Sequence, residues 1–264
     1  MKCITSHDGT TIAYDVFGNG PVLILVNGTM GSRVWGPNRL AQLLKSDFSV
    51  YDYDRRGRGD STDNVHYSVQ KEIQDIETLI QTAGGLAYVC GLSSGAALAM
   101  QAAVQLGPRK ITKLVMYEGP YTVDASIRKR WENYGVSLKM AAQKKDRDTL
   151  VVAFLEFMQT PQEEITRMRQ DHATWQKLRS LAPTLLYDYA VNGETLLIPV
   201  DLAAKMETPT LVVNGGASGP VISADADTLA GYMPHATRAE LANESHNVDP
   251  ESLAPLLVNF FQIK

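Results

Sequence analysis

The feature that most constrains this chain is a run of apolar residues with no alternation, Val22-Leu23-Ile24-Leu25-Val26, entered through Gly18-Asn19-Gly20-Pro21. A strand that is apolar at consecutive positions must be covered on both faces, as strands of a parallel sheet clad in helices are. Phe48-Ser49-Val50-Tyr51-Asp52-Tyr53-Asp54 reads as a second central strand, Leu86-Ala87-Tyr88-Val89-Cys90 as the next, and Leu114-Val115-Met116-Tyr117 as another. Helical patterns alternate with them: one around 36–45, one over 69–82 with Val69, Ile73, Ile76, Leu79 and Ile80 on one face, and an alanine-rich one over 94–106. Such alternation implies right-handed crossovers and a parallel sheet with helices on both faces. Residues 2–6 and 11–17 flank Asp8-Gly9, a hairpin signal, so an antiparallel pair should begin the sheet.

The alternation stops after residue 120 and resumes at Pro209-Thr210-Leu211-Val212-Val213, followed by a helix near 224–233, a strand near 236–241 and a helix near 250–262. Between them, 121–205 shows only helical patterns. The expected architecture is therefore α/β: a core domain of residues 1–120 and 206–264, with 121–205 inserted as a helical cap, or lid. Trp131, Tyr134, Phe154, Phe157, Met158, Met168, Trp175, Tyr187 and Tyr189 would supply most of the cap's own core, with a few facing a pocket.

Composition narrows the function classes. With 264 residues and 44% apolar content the chain can bury a sizeable core, and a net charge of −4 gives no reason to expect a nucleic-acid or membrane partner. Arg128-Lys129-Arg130 and Lys144-Lys145 read as solvated helix faces. Cys3 and Cys90 form neither a disulfide framework nor a metal-type spacing, and the first residues have no apolar signal region; a cytoplasmic location is the expectation.

The chemistry begins at Gly91-Leu92-Ser93-Ser94-Gly95, a Gly-x-Ser-x-Gly at a strand-to-helix junction. The motif alone is short, and a glycine-rich turn with a helix-capping serine would also satisfy it. The context favours a nucleophile: a serine projected from a sharp turn needs small flanks, which Gly91, Gly95, Ala96 and Ala97 supply. The helix behind it aims N–H groups at the site, so the N–H of Ser94 is the first candidate oxyanion donor. The second should come from the loop after the earlier central strand, Asn27-Gly28-Thr29-Met30-Gly31.

On these residues the chain resembles the α/β-hydrolase superfamily along nearly its whole length, and its α/β-hydrolase fold is the implied fold. The family usually has His-Gly where this chain has Asn27-Gly28; Thr29 N–H remains the implied second donor. Asp54-Arg55-Arg56-Gly57-Arg58-Gly59-Asp60-Ser61 matches the family's Asp-x-Arg-Gly-x-Gly-x-Ser loop. It lacks the Gly-Lys-Ser/Thr of a phosphate-binding loop and the Gly-x-Gly-x-x-Gly of a dinucleotide site, so it reads as a buttress of the oxyanion loop.

The resemblance implies that His246, in the loop after the last strand, is the general base; a histidine suits that task because it exchanges protons near neutrality. His7, His66, His172 and His235 have no such placement, and no pair has a metal-ligand spacing. The acid departs from the common pattern: Ser218 stands where the carboxylate usually is. Some family members carry it at the end of the preceding strand, which implies Glu118 here; Asp225 is the alternative, although Asp225 and Asp227 also look like first-turn helix carboxylates. Met30 and Trp35 are expected to join the apolar substrate pocket. Aspartate-nucleophile branches of the family are set aside because position 93 is serine. The implied activity is serine hydrolysis of a small to medium apolar ester, thioester or lactone, needing no metal or cofactor. A cofactor-free lyase, perhydrolase or acyltransferase, or a slowly turning ligand-binding protein, stays open as an alternative.

Overall fold

The computed structural model describes residues 1–33, 38–64 and 66–262. The hairpin comes first, β1 (Lys2–Thr5) and β2 (Thr11–Phe17). At its turn Gly9 has φ +86°, and the Asp8 carboxylate accepts the N–H of Thr10 at 3.1 Å, which is how an Asp-Gly pair reverses a chain. There follow β3 (Val22–Val26), α1 (Asn38–Leu44), β4 (Ser49–Tyr53), α2 (Val69–Thr82), β5 (Ala87–Leu92), α3 (Ser94–Leu106) and β6 (Ile111–Tyr117). The start of the helix expected from residue 36 falls outside the described residues.

A helical insert then separates β6 from β7: α4 (Ala125–Gln143), α5 (Arg147–Phe157), α6 (Gln162–Gln170), α7 (His172–Leu181), α8 (Leu185–Asn192) and the short α9 (Val200–Ala203). The chain ends with β7 (Thr210–Gly215), α10 (Pro220–Tyr232), β8 (Ala236–Leu241) and α11 (Pro250–Gln262). Aspartates open several of these helices; Asp124, Asp146 and Asp171 each accept backbone N–H groups of the first turn of α4, α5 and α7. No described helix is long and apolar enough to cross a membrane.

One sheet has the order β1-β2-β4-β3-β5-β6-β7-β8. Its first two pairings, β1 with β2 and β2 with β4, are antiparallel; the rest are parallel. The consecutive apolar residues of β3 are divided between two cores, as their pattern requires. Ile24 and Val26 pack towards α2 and α3, while Leu23 and Leu25 pack with Leu40 and Leu44 of α1 and Leu253 and Leu257 of α11. The alanines of α3 allow it to lie close on the sheet: Ala96, Ala97, Ala99, Ala102 and Ala103 are all buried.

The insert has a core of its own around Trp131, Tyr134, Leu138, Ile165 and Trp175. Met158 lies outside it, 44% exposed, and Tyr187 instead stacks on Tyr67 of the sheet domain with ring centroids 3.8 Å apart. The Tyr187 hydroxyl also donates to Asp63 at 2.7 Å, and Gln101 of α3 donates to the Val191 carbonyl at 2.8 Å. Helix α8 is thereby fastened to the sheet domain at several points.

Candidate active site

Ser93 occupies the single residue between β5 and α3, with φ +53° and ψ −122°. A side chain at positive φ is strained, and the turn is held open by what surrounds it. The Ser93 N–H donates to the Tyr117 carbonyl at 2.9 Å, and its carbonyl accepts from Ala96 at 2.9 Å. The flanking glycines have steric reasons. A Cβ on Gly91 would stand 2.5 Å from the Gly95 carbonyl oxygen, and one on Gly95 would collide with the Val26 carbonyl oxygen. Gly28 is equally constrained: its Cβ would lie 2.9 Å from the Leu92 oxygen and 3.1 Å from the Ser93 Cβ. The loop after β3 therefore passes directly against the serine.

Glu118 follows β6 and also has positive φ, +43°. Its N–H donates to the Val213 carbonyl of β7 at 2.9 Å, so the residue is tied across the carboxyl edge of the sheet. One carboxylate oxygen, Oε1, accepts the Gly215 N–H at 2.9 Å; the other, Oε2, lies 2.7 Å from Nδ1 of His246. Burial by itself would raise this carboxyl's pKa. The hydrogen bond to His246, then the neighbouring Ser218 hydroxyl and the Gly215 N–H, outweigh it, and Glu118 is held below the usual carboxylate value. His246 stands in the loop after β8, with its side chain 42% exposed against 3% for Glu118. That loop is itself anchored, because the Tyr117 hydroxyl donates to the Ser245 carbonyl at 2.6 Å. Tyr117 thus touches both sides of the site, its carbonyl on Ser93 and its hydroxyl beside His246.

The structure brings Glu118 and His246 into contact and sets Ser93 at the end of the adjacent strand. It puts Asp225 elsewhere. Helix α10 begins at Pro220, where proline's fixed φ suits the first turn, so Asp225 falls in the second turn and not the first. There it is buried and accepts the N–H of Val123 at 2.9 Å. Ser218 lies in the short 3-10 turn after β7. Met30, buried and at φ +61°, packs into the core of the insert with Trp131 and Leu138. Trp35 lies outside the described residues.

Behind the loop after β3 is a buried ionic cluster that spacing alone could not reveal. Arg55 is fully buried and pairs with Glu72 through two bonds of 2.7 Å and with Asp188 of α8 at 2.8 Å. Arg58 reaches both oxygens of Asp188 at 2.8 Å and the Gly28 carbonyl at 2.7 Å. Burial would drive both acids up, but the two arginines hold Glu72 and Asp188 below their ordinary values. Breaking a buried pair of this kind by removing one partner costs about 3–5 kcal/mol. The arginine-rich loop thus contacts the loop after β3 through the Asn27 and Gly28 carbonyls, in keeping with a buttress. Sequence reasoning missed Asp188, which sits in a helical insert with no local motif and 130 residues from Arg58. No described group of His, Cys, Asp and Glu residues is arranged to hold a metal ion.

The strand order, the strained serine between β5 and α3, and the insert after β6 define an α/β-hydrolase fold. Residues 23–256 match the alpha/beta hydrolase family, and the chain belongs to it. The chain is similar to an alpha/beta hydrolase from Sphaerobacter thermophilus DSM 20745, with 38% identity, a TM-score of 0.87 and coverage of 99% of this chain and 100% of that one. It also shares its fold with the enol-lactonase from Burkholderia xenovorans LB400 (20% identity, TM-score 0.71, 99% and 100% covered). The esterase EaEST from Exiguobacterium antarcticum is similar in the same sense (18%, 0.73, 99% of each chain). Over 116 residues the chain is 30% identical to the provisionally named carbamate hydrolase RutD of Escherichia coli O17:K52:H18 (strain UMN026 / ExPEC), covering 43% of this chain and 41% of that protein. The chain spans less than half the length of the curated relatives it matches.

Proposed function

We propose that this α/β-hydrolase is a serine hydrolase that cleaves an ester, thioester or lactone of a small to medium apolar substrate through an acyl-enzyme. The observation that carries the reading is the 2.7 Å contact between Glu118 and Nδ1 of His246, at the same sheet edge as the strained Ser93. A carboxylate on Nδ1 fixes the tautomer that leaves Nε2 unprotonated, and so able to accept the serine proton. Ser93 Oγ then bonds to the substrate carbonyl carbon while His246 Nε2 takes the proton, and the carbonyl electrons move onto oxygen. The N–H groups of Thr29 and Ser94 hold that oxyanion. Collapse of the intermediate breaks the bond to the leaving group, which departs with the proton from His246. Water, deprotonated by the same ring, attacks the acyl-enzyme and releases the acid and Ser93. The insert serves as a lid over this edge, and its aromatic and methionine content supports an apolar substrate. The esterase and enol-lactonase folds among its structural neighbours, and the 38% identical hydrolase, support the same class.

The test is covalent. A fluorophosphonate probe should label wild-type protein at Ser93 and leave Ser93→Ala unlabelled, and turnover of short-chain nitrophenyl esters should vanish in Ser93→Ala and in His246→Ala. Ester turnover that survives Ser93→Ala, or no labelling of the wild type, overturns the reading.

A further inference from the structure

We infer that Asp188, a residue of the helical insert, is the positioning residue that holds the oxyanion hole in its working geometry. This rests on the serine-hydrolase reading above.

The argument starts from the peptide unit between Gly28 and Thr29. In a planar trans peptide the carbonyl and the following N–H point in opposite directions. Fixing one fixes the other. Arg58 donates to the Gly28 carbonyl at 2.7 Å, and this bond draws the oxygen towards the guanidinium and turns the Thr29 N–H the opposite way. The Gly31 N–H also donates to this oxygen, at 3.1 Å, but it comes from the same glycine-flanked loop, so Arg58 is the holder that reaches this carbonyl from outside the loop. Arg58 can do so only while its own planar fork is held, and Asp188 holds it through both carboxylate oxygens at 2.8 Å. The preceding carbonyl is secured in the same way: Arg55 donates to the Asn27 oxygen at 3.3 Å and to Asp188 at 2.8 Å.

Asp188 also reaches the other side of the hole. The Ser94 hydroxyl donates to Asp188 Oδ1 at 2.8 Å, and the Thr29 hydroxyl donates to Ser94 Oγ at 3.1 Å. One carboxylate, 2% exposed, therefore joins the residue that would supply each oxyanion N–H, from a helix that belongs to neither. Its helix is pinned by the Tyr67–Tyr187 stack and the Tyr187–Asp63 hydrogen bond, so the anchor is rigid. The site is consequently complete only when α8 of the insert is seated.

The experiment compares Asp188→Asn with Asp75→Asn. Asp75 makes a matched buried pair with Arg56 of the same loop, at 2.8 and 2.7 Å, but Arg56 contacts neither the Asn27 nor the Gly28 carbonyl. Both variants lose a buried aspartate–arginine pair and should melt earlier. Only Asp188→Asn should lower kcat on a nitrophenyl ester by about ten- to a hundredfold with KM changed less than about threefold, since losing an oxyanion donor outright costs roughly 10²–10³ in kcat. Affinity for a trifluoromethyl ketone, whose tetrahedral adduct places an oxyanion in the hole, should fall by a similar factor. Asp75→Asn should keep kcat. Equal kinetic losses in the two variants, or an unchanged kcat in Asp188→Asn, overturn the inference. Should Asp188→Asn fail to fold, Ser94→Ala removes only the hydroxyl link; a several-fold fall in kcat supports the role and an unchanged kcat overturns it. If Ser93→Ala itself retains turnover, it is the serine-hydrolase reading that has failed.

Discussion

Asp52 offers a sharp quantitative prediction. It lies on β4 beneath the loop after β3, 1% exposed, where Asn27 Nδ2 donates to its Oδ1 at a long 3.4 Å. Its Oδ2 has no hydrogen-bond partner among the described residues. Burial, with Asp54 and Asp15 adding repulsion, pushes the carboxyl from its ordinary 3.8 up to about 7; Asn27 and Arg33 resist only in part. The folded value therefore exceeds the unfolded one. Between about pH 4 and pH 7 the unfolded chain has released this proton while the native state keeps it, so stability falls as pH rises through that window and levels off above it. At 1.36 kcal/mol per unit of pKa, the accumulated penalty is about 1.5 kcal/mol at pH 5 and about 4 kcal/mol at pH 8. Asp52→Asn removes the ionisation and leaves an oxygen to accept from Asn27. Its stability relative to wild type should thus improve by about 2.5 kcal/mol between pH 5 and pH 8. Urea unfolding at both pH values, extrapolated to water with a common slope, measures this. A difference between variant and wild type that is the same at pH 5 and pH 8 would show that Asp52 titrates normally, and the reasoning would fail.

Two further substitutions test other links. Glu118→Gln keeps an acceptor for the Gly215 N–H but removes the charge facing His246, and should lower kcat by roughly 10³-fold or more in a folded protein. Because Glu118 has a depressed pKa, its stabilisation is present at neutral pH and fades as pH falls through the folded value, so the variant's loss of stability should be seen at pH 7 and shrink in acid below the usual carboxylate range. A kcat within tenfold of wild type would show that Glu118 plays no part in turnover. Gly95→Ala would drive a methyl into backbone carbonyl oxygens at Val26 and Asn27, which cannot move without shifting β3, and should cost more than about 3 kcal/mol in chemical denaturation. A soluble variant with an unchanged midpoint would contradict the close packing of α3 on the sheet.

The elements that govern themselves locally were legible in the chain. Consecutive apolar residues gave β3, Asp8-Gly9 gave the hairpin, and Gly91 to Gly95 gave a serine turn whose glycines do prove sterically obligatory. These signals lie within a few residues of their effect, because strand burial, turn dihedrals and close approach are short-range constraints. The mostly parallel sheet led by a hairpin, and the helical insert, followed from the alternation of such signals, whereas the strand order β1-β2-β4-β3-β5-β6-β7-β8 came only with the tertiary structure. Even so, α10 begins four residues before its expected start, since Gly219-Pro220 set its first turn and the apolar pattern did not.

Tertiary structure alone decided which acid faces His246. Glu118 and Asp225 both fitted the chain order, and only the seating of β6 beside β7 directs one carboxylate to the ring while Val123 claims the other. It also decided that Met30 packs into the insert and that Asp188 meets Arg55, Arg58 and Ser94. Buried charges find partners across long stretches of chain because leaving one unpaired in the interior is so costly, and nothing in local spacing records which partner folding will supply.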